Sequence, residues 1–146
     1  MIYKCTHFGI KELVSPIVYQ KFGESAWMFF DETVLQDLDT IRETWGSSII
    51  INNWQWGGDL KQCGLRSNLD QLVKDKTRRE QLYISAHSMG KAFDLHDKLG
   101  KNNKLYEHIY SLIATGKLKA FKRLENYKNT PGWVHVDSYQ TNNIVF

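Results

Sequence analysis

Cysteine and proline are both scarce, with two of each among 146 residues. Cys5 and Cys63 are far apart and no Cys-x-x-Cys pair occurs, which excludes a disulfide framework and a cysteine-based metal site. Both read as free thiols. Pro16 and Pro131 stand alone, and no linker, internal repeat or low-complexity stretch breaks the chain, so a single domain over 1–146 is expected. No apolar run approaches the length of a membrane span, so no membrane insertion is expected. Met1 to His7 has no apolar core of a secretory signal, and the expectation is a chain made soluble in the cytoplasm. Charge is not one-sided either. The formal net charge is +3, and the one basic run, Lys74 to Arg79, reads as a solvated helix face, so no nucleic-acid partner is expected. Nothing fixes an oligomeric state, and a monomer is the simplest expectation.

What is present is a folded core. Hydrophobic residues make up 42% of the chain and there are five Trp, which argues against disorder, and the length suffices to bury a core without staples. Val34, Leu35, Leu38, Ile41 and Trp45 fall on one helical face, with Asp31 as N-cap and Gly46 as C-terminal stop. Ile49 to Asn52 reads as a buried strand, and Trp54 to Cys63, with Gly57-Gly58, as a loop. A short helix is expected within Asn68–Glu80, a strand at Leu82–Ile84 and a strand over Lys91–His96. Leu105, Ile109, Leu112 and Ile113 mark a second amphipathic helix stopped at Gly116, followed by strands near Lys119–Glu125 and Trp133–Asp137. This order lacks regular βαβ alternation and predicts an α+β fold, a small mostly antiparallel sheet packed with helices.

Chemistry concentrates in two segments, Ser85-Ala86-His87-Ser88-Met89-Gly90-Lys91-Ala92-Phe93-Asp94 and Trp133-Val134-His135-Val136-Asp137. A catalytic zinc takes three protein ligands from imidazole, thiolate or carboxylate and leaves a fourth place for water; His87, Asp94 and His135 supply two imidazoles and a carboxylate. Gly90 sits between the first two, where a tight turn needs positive φ, and Ala92 leaves room beneath the ion. In the strand Lys91–His96, Phe93 and Leu95 would face the core, and Ala92, Asp94 and His96 the other side. In the second segment Val134 and Val136 would be core, while Trp133, His135 and Asp137 share the opposite face. His96 reads as an outer partner of the site or a solvated side chain; His7 and His108 read as structural. Trp54 and Trp56 either line a groove or pack at the core edge.

The pattern Ser-x-His-x-x-Gly-x-Ala-x-Asp followed by Trp-Val-His-Val-Asp resembles the zinc D-alanyl-D-alanine carboxypeptidase family, which includes many bacteriophage endolysins and is related to the zinc domain of hedgehog proteins. The N-terminal half follows the family's order more weakly, through HFGIKEL, LDTIRETWG, IIIN and GLRS. The resemblance implies a hedgehog-like peptidase fold, a Zn2+ ion and hydrolysis of an amide bond in peptidoglycan stem peptides. It implies a substrate-holding arginine at Arg66 and a substrate-bonding serine at Ser85. The acid that bacterial dipeptidases carry three positions before the last ligand falls here on Gly132, which cannot serve. Hedgehog-like and phage members place the acid at the end of the preceding strand, which implies Glu125 as catalytic base. Asp137 is the competing carboxylate, or an outer partner that orients His135. The expected role is a phage endolysin made in the host cytoplasm that acts at the cell wall after the inner membrane is opened. The alternative is a non-catalytic zinc-containing binding or virion protein of the same fold.

Overall fold

The sheet that carries both chemical segments has four strands, β1 (Ile49–Ile50), β2 (Ala92–Asp97), β3 (Arg123–Leu124) and β4 (Val134–Asp137), in the order β1-β2-β4-β3, every pair antiparallel. The computed structural model describes all 146 residues. Five α-helices accompany the sheet: α1 (Ile10–Leu13), α2 (Pro16–Phe22), α3 (Glu32–Trp45), α4 (Gln71–Arg78) and α5 (Asn102–Ala114). The expected α+β class is thus what the chain adopts.

Alternation decides which face of the sheet does what. Phe93, Leu95, Leu124, Val134 and Val136 are fully buried and join one 25-residue core with Val34, Leu35, Leu38 and Ile41 of α3 and Leu105, Ile109 and Leu112 of α5. The remaining side chains of β2 and β4, including Asp94, His135 and Asp137, alternate with these and occupy the opposite face. The expected termini of the two long helices hold. Gly46 and Gly116 both take positive φ just past the helix ends, and Asp31 stands at the N-cap position of α3, although its side chain makes no capping bond.

Four expectations are corrected. The strand expected over Ile49–Asn52 ends after Ile50, because the Asn52 amide donates to the Glu12 carbonyl rather than to the sheet. The strand expected over Lys119–Glu125 shrinks to Arg123–Leu124, because the amides of Lys119, Ala120 and Phe121 all donate to the buried carboxylate of Asp37. Leu82–Ile84 forms no strand; both edges of β2 are already taken by β1 and β4, and Leu82 and Ile84 lie exposed. The stretch before Asp31, where no element was expected, holds α1, α2 and a 3-10 segment over Gly23–Phe29.

Asp37 ties α3 to the approach of β3, which makes it a clear stability probe. Asp37→Ala leaves three amides without their charged acceptor and is expected to cost about 3 kcal/mol, read from the midpoint of urea unfolding.

Candidate metal centre

β2 and β4 pair in a register that sets Asp94 directly opposite His135. Both side chains leave the same face, so the pairing alone brings a carboxylate against an imidazole. His87 arrives from outside the sheet, on a single 3-10 turn, Ala86–Met89, closed by Gly90 at φ 66°. A side chain at Gly90 would also collide with the Phe29 carbonyl, 2.4 Å from the position of its Cβ, so both the turn and its packing require glycine. Ser85 caps this turn, its Oγ accepting from the His87 amide at 3.2 Å.

Three atoms meet. His87 Nε2 lies 3.3 Å from Asp94 Oδ1 and 3.3 Å from His135 Nδ1, and His135 Nδ1 lies 2.9 Å from Asp94 Oδ1. All three residues are buried, and together they form a group able to hold a metal ion. The outer partners dictate the tautomers. His87 Nδ1 lies 2.9 Å from the Gly64 carbonyl, which can only accept, so Nδ1 carries the proton and Nε2 presents a lone pair inward. His135 Nε2 donates to the Asp137 carboxylate at 3.0 Å, which turns Nδ1 inward.

Two imidazole lone pairs and a carboxylate oxygen therefore converge with no donor of their own, an arrangement that calls for a cation. A proton is the smallest one that answers. Burial alone would lower the pKa of His135, but its hydrogen bonds to Asp137 and Asp94, with their charges, push it up to about 9. Asp94 is driven the other way: burial would raise it, yet the adjoining imidazoles of His135 and His87 hold it well below the usual carboxylate range. His87 is lowered, chiefly by burial. A metal ion entering the group competes with the shared proton.

Arg66 is no free surface charge. Its Nη2 donates to Asp94 Oδ2 at 3.0 Å, Nη1 reaches the Tyr83 hydroxyl at 3.4 Å, and only about a tenth of the side chain is exposed. This pins one carboxylate oxygen and leaves Oδ1 for the metal group. Asp137 sits behind His135. Its Oδ2 takes the Nε2 proton while Oδ1 accepts from Arg123 Nε at 2.7 Å and the Tyr139 amide at 3.0 Å, so it faces the outer nitrogen of His135 and not the converging atoms. That is the geometry of an orienting partner.

Glu125 follows β3 and pairs with His135 through its amide, which donates to the His135 carbonyl at 3.2 Å. By alternation it shares the face of Arg123, and it is half-buried. Unlike Asp94 and Asp137, it is held in no salt bridge. His96 makes no hydrogen bond to His87, Asp94 or His135; its Nδ1 lies 3.3 Å from the Ile50 carbonyl, tying β2 to β1. His7 pairs with Glu43 and His108 with Thr44, both away from the centre. Trp54 packs on Tyr19 and donates to the Val14 carbonyl, whereas Trp56 is exposed. Cys5 and Cys63 are free, and burial pushes the Cys63 thiol up to about 12.

Sequence reasoning missed Gly64, Arg123 and Phe146. Gly64 accepts the His87 proton from a position where a Cβ would lie 2.0 Å from the Leu13 carbonyl. Backbone, not a flexible side chain, blocks that space. Gly64→Ala is expected to shift this carbonyl, weaken metal binding by roughly 10–100-fold, as loss of an outer partner does, and cost about 1–3 kcal/mol through overpacking. Chelator competition and urea unfolding read the two effects separately.

Comparison of the chain with models of known protein families, with curated proteins and with solved structures finds no match. No helix is long and apolar enough to cross a membrane.

Proposed function

We propose that the protein is a zinc peptidase that cuts an amide bond in peptidoglycan stem peptides, and that it serves as a bacteriophage endolysin. The observation that carries this reading is the convergence of His87 Nε2, Asp94 Oδ1 and His135 Nδ1, each aimed by a partner on its far side. Zinc is the ion of choice. Donor atoms about 2.0–2.1 Å from a tetrahedral centre stand roughly 3.3–3.4 Å apart, and the separations here are 3.3, 3.3 and 2.9 Å. Two imidazoles with one carboxylate also leave one tetrahedral position for water. The resemblance of both segments to the D-alanyl-D-alanine carboxypeptidases supplies the substrate class.

Zinc bound by these three residues supplies Lewis-acid polarisation of the scissile carbonyl and a water of lowered pKa. Glu125 takes the proton of the attacking water and returns it to the leaving amine, which is why its carboxylate has to stay clear of ion pairs. Arg66 keeps Asp94 aimed, and its remaining guanidinium edge, with the Ser85 hydroxyl, holds the carboxylate or carbonyl oxygens of the peptide. The net positive charge of the chain favours approach to an anionic wall polymer. Such a lysin gathers in the host cytoplasm and meets its substrate once another protein opens the inner membrane.

The test is a synthetic stem peptide of alternating L and D residues incubated with zinc-loaded protein. Cleavage at a single amide next to a D residue, identified by product mass, is the expected result. An intact peptide, alone and as a cross-linked dimer, would overturn the reading.

A further inference from the structure

Behind the metal group lies a second layer that the peptidase reading does not use. Arg123 leaves β3 on the face of the site and is boxed in on three sides. Its Nε donates to Asp137 Oδ1 at 2.7 Å, its guanidinium carbon lies 3.9 Å from the centre of the Phe146 ring, and the Tyr139 ring stands 5.3 Å away. Phe146 is placed there by Ile144–Phe146, which runs alongside β3: the Leu124 amide donates to the Ile144 carbonyl at 2.7 Å, and the Phe146 amide to the Leu124 carbonyl at 3.0 Å. The same ring meets His135 edge-on, centroids 5.9 Å apart and planes at 82°. Tyr139 is fixed through its amide on Asp137 and its hydroxyl, which donates to Met89 Sδ on the turn that carries His87.

The geometry points to Arg123 as a positioning residue for the metal centre, clamped by Phe146 and Tyr139, which sets metal affinity by aiming the Asp137 carboxylate at His135. The inference rests on the metal reading of the preceding section, though not on peptidase activity. Asp137 is buried, and its two oxygens are equivalent; what matters is that one of them points at His135 Nε2. Arg123 and the Tyr139 amide both hold Oδ1, which leaves Oδ2 to the imidazole. A carboxylate so fixed keeps His135 in the tautomer that turns Nδ1 inward and makes that nitrogen a better donor. Stacking on Phe146 restricts the guanidinium to the plane that reaches Asp137, an attraction of ring face for cation that a lysine ammonium does not reproduce with the same planar geometry.

The experiment measures zinc affinity by competition with a chromophoric chelator, and the visible spectrum of the cobalt-substituted protein, for the full chain and for Arg123→Met, Arg123→Lys and Phe146→Ala. Circular dichroism and thermal melting of each metal-free variant report folding. Arg123→Met is expected to bind zinc roughly tenfold more weakly, the lower end of the range for outer-partner loss, with altered cobalt bands, and Arg123→Lys to recover part of the affinity. Phe146→Ala is expected to lose affinity by a few fold. Phe146 as a residue is nearly half exposed and lies outside the main core, so this variant carries the test if Arg123→Met does not fold. Zinc binding by the variants as tight as in the native chain, or tighter, would overturn the inference while leaving the metal reading intact. Failure of the native chain itself to take up zinc would overturn both.

Discussion

Glu125→Gln is expected to bind zinc as tightly as the native chain and to lose hydrolysis by at least about 10²–10⁴-fold, the usual worth of a positioned proton acceptor. Glutamine keeps the size and the backbone of the residue, so the amide bond to the His135 carbonyl and the end of β3 persist. What it removes is the proton acceptor. None of the three converging atoms belongs to Glu125, hence metal content stays at the native level. The competing carboxylate predicts a different outcome. If Asp137 were the base, Glu125→Gln would retain full activity, and Asp137→Asn would abolish turnover without changing metal affinity. The position of Asp137 on the outer nitrogen of His135 argues instead that Asp137→Asn weakens the metal, by roughly 10–100-fold. Metal analysis beside turnover measurements on the two variants separates the assignments.

His135→Ala is expected to lose metal and hydrolysis together. Two donors remain, His87 and Asp94, and the loss in affinity goes well beyond the 10–100-fold that removal of an outer partner produces. The substitution also withdraws the one group that binds both Asp94 and Asp137, 2.9 and 3.0 Å away. Each carboxylate keeps an arginine, Arg66 and Arg123 respectively, so the fold is expected to survive. Retained far-ultraviolet circular dichroism with no bound zinc is the expected pair of readings. Stoichiometric zinc in His135→Ala would remove this residue from the ligand set.

The parts of this account that the sequence made legible are those set by local periodicity. α3 and α5 announce themselves by apolar residues on one face and a glycine beyond the end, and β2 and β4 by an alternation that already separates Phe93, Leu95, Val134 and Val136 from Asp94, His135 and Asp137. The convergence of His87, Asp94 and His135 follows from that alternation and from the turn at Gly90. α2 was not expected, although Ser15-Pro16, an N-cap serine before a proline, marks its start in the structure. Long-range competition for backbone amides was not legible. Nothing local tells that Asp37 captures the amides of Lys119 to Phe121, 82 to 84 residues away, and so shortens β3. The same holds for Gly64, whose part in the centre is a carbonyl, and for Phe146, which reaches Arg123 only because Ile144–Phe146 lies along β3.

The most direct test of the central claim is release of new amino groups from purified peptidoglycan by the protein as isolated, after chelation, and after zinc is restored. The account predicts release by the first, none after chelation, and recovery with about one zinc per chain. Release that survives complete chelation would contradict it. So would one tightly bound zinc with no release at all, which would leave His87, Asp94 and His135 as the metal site of a binding protein.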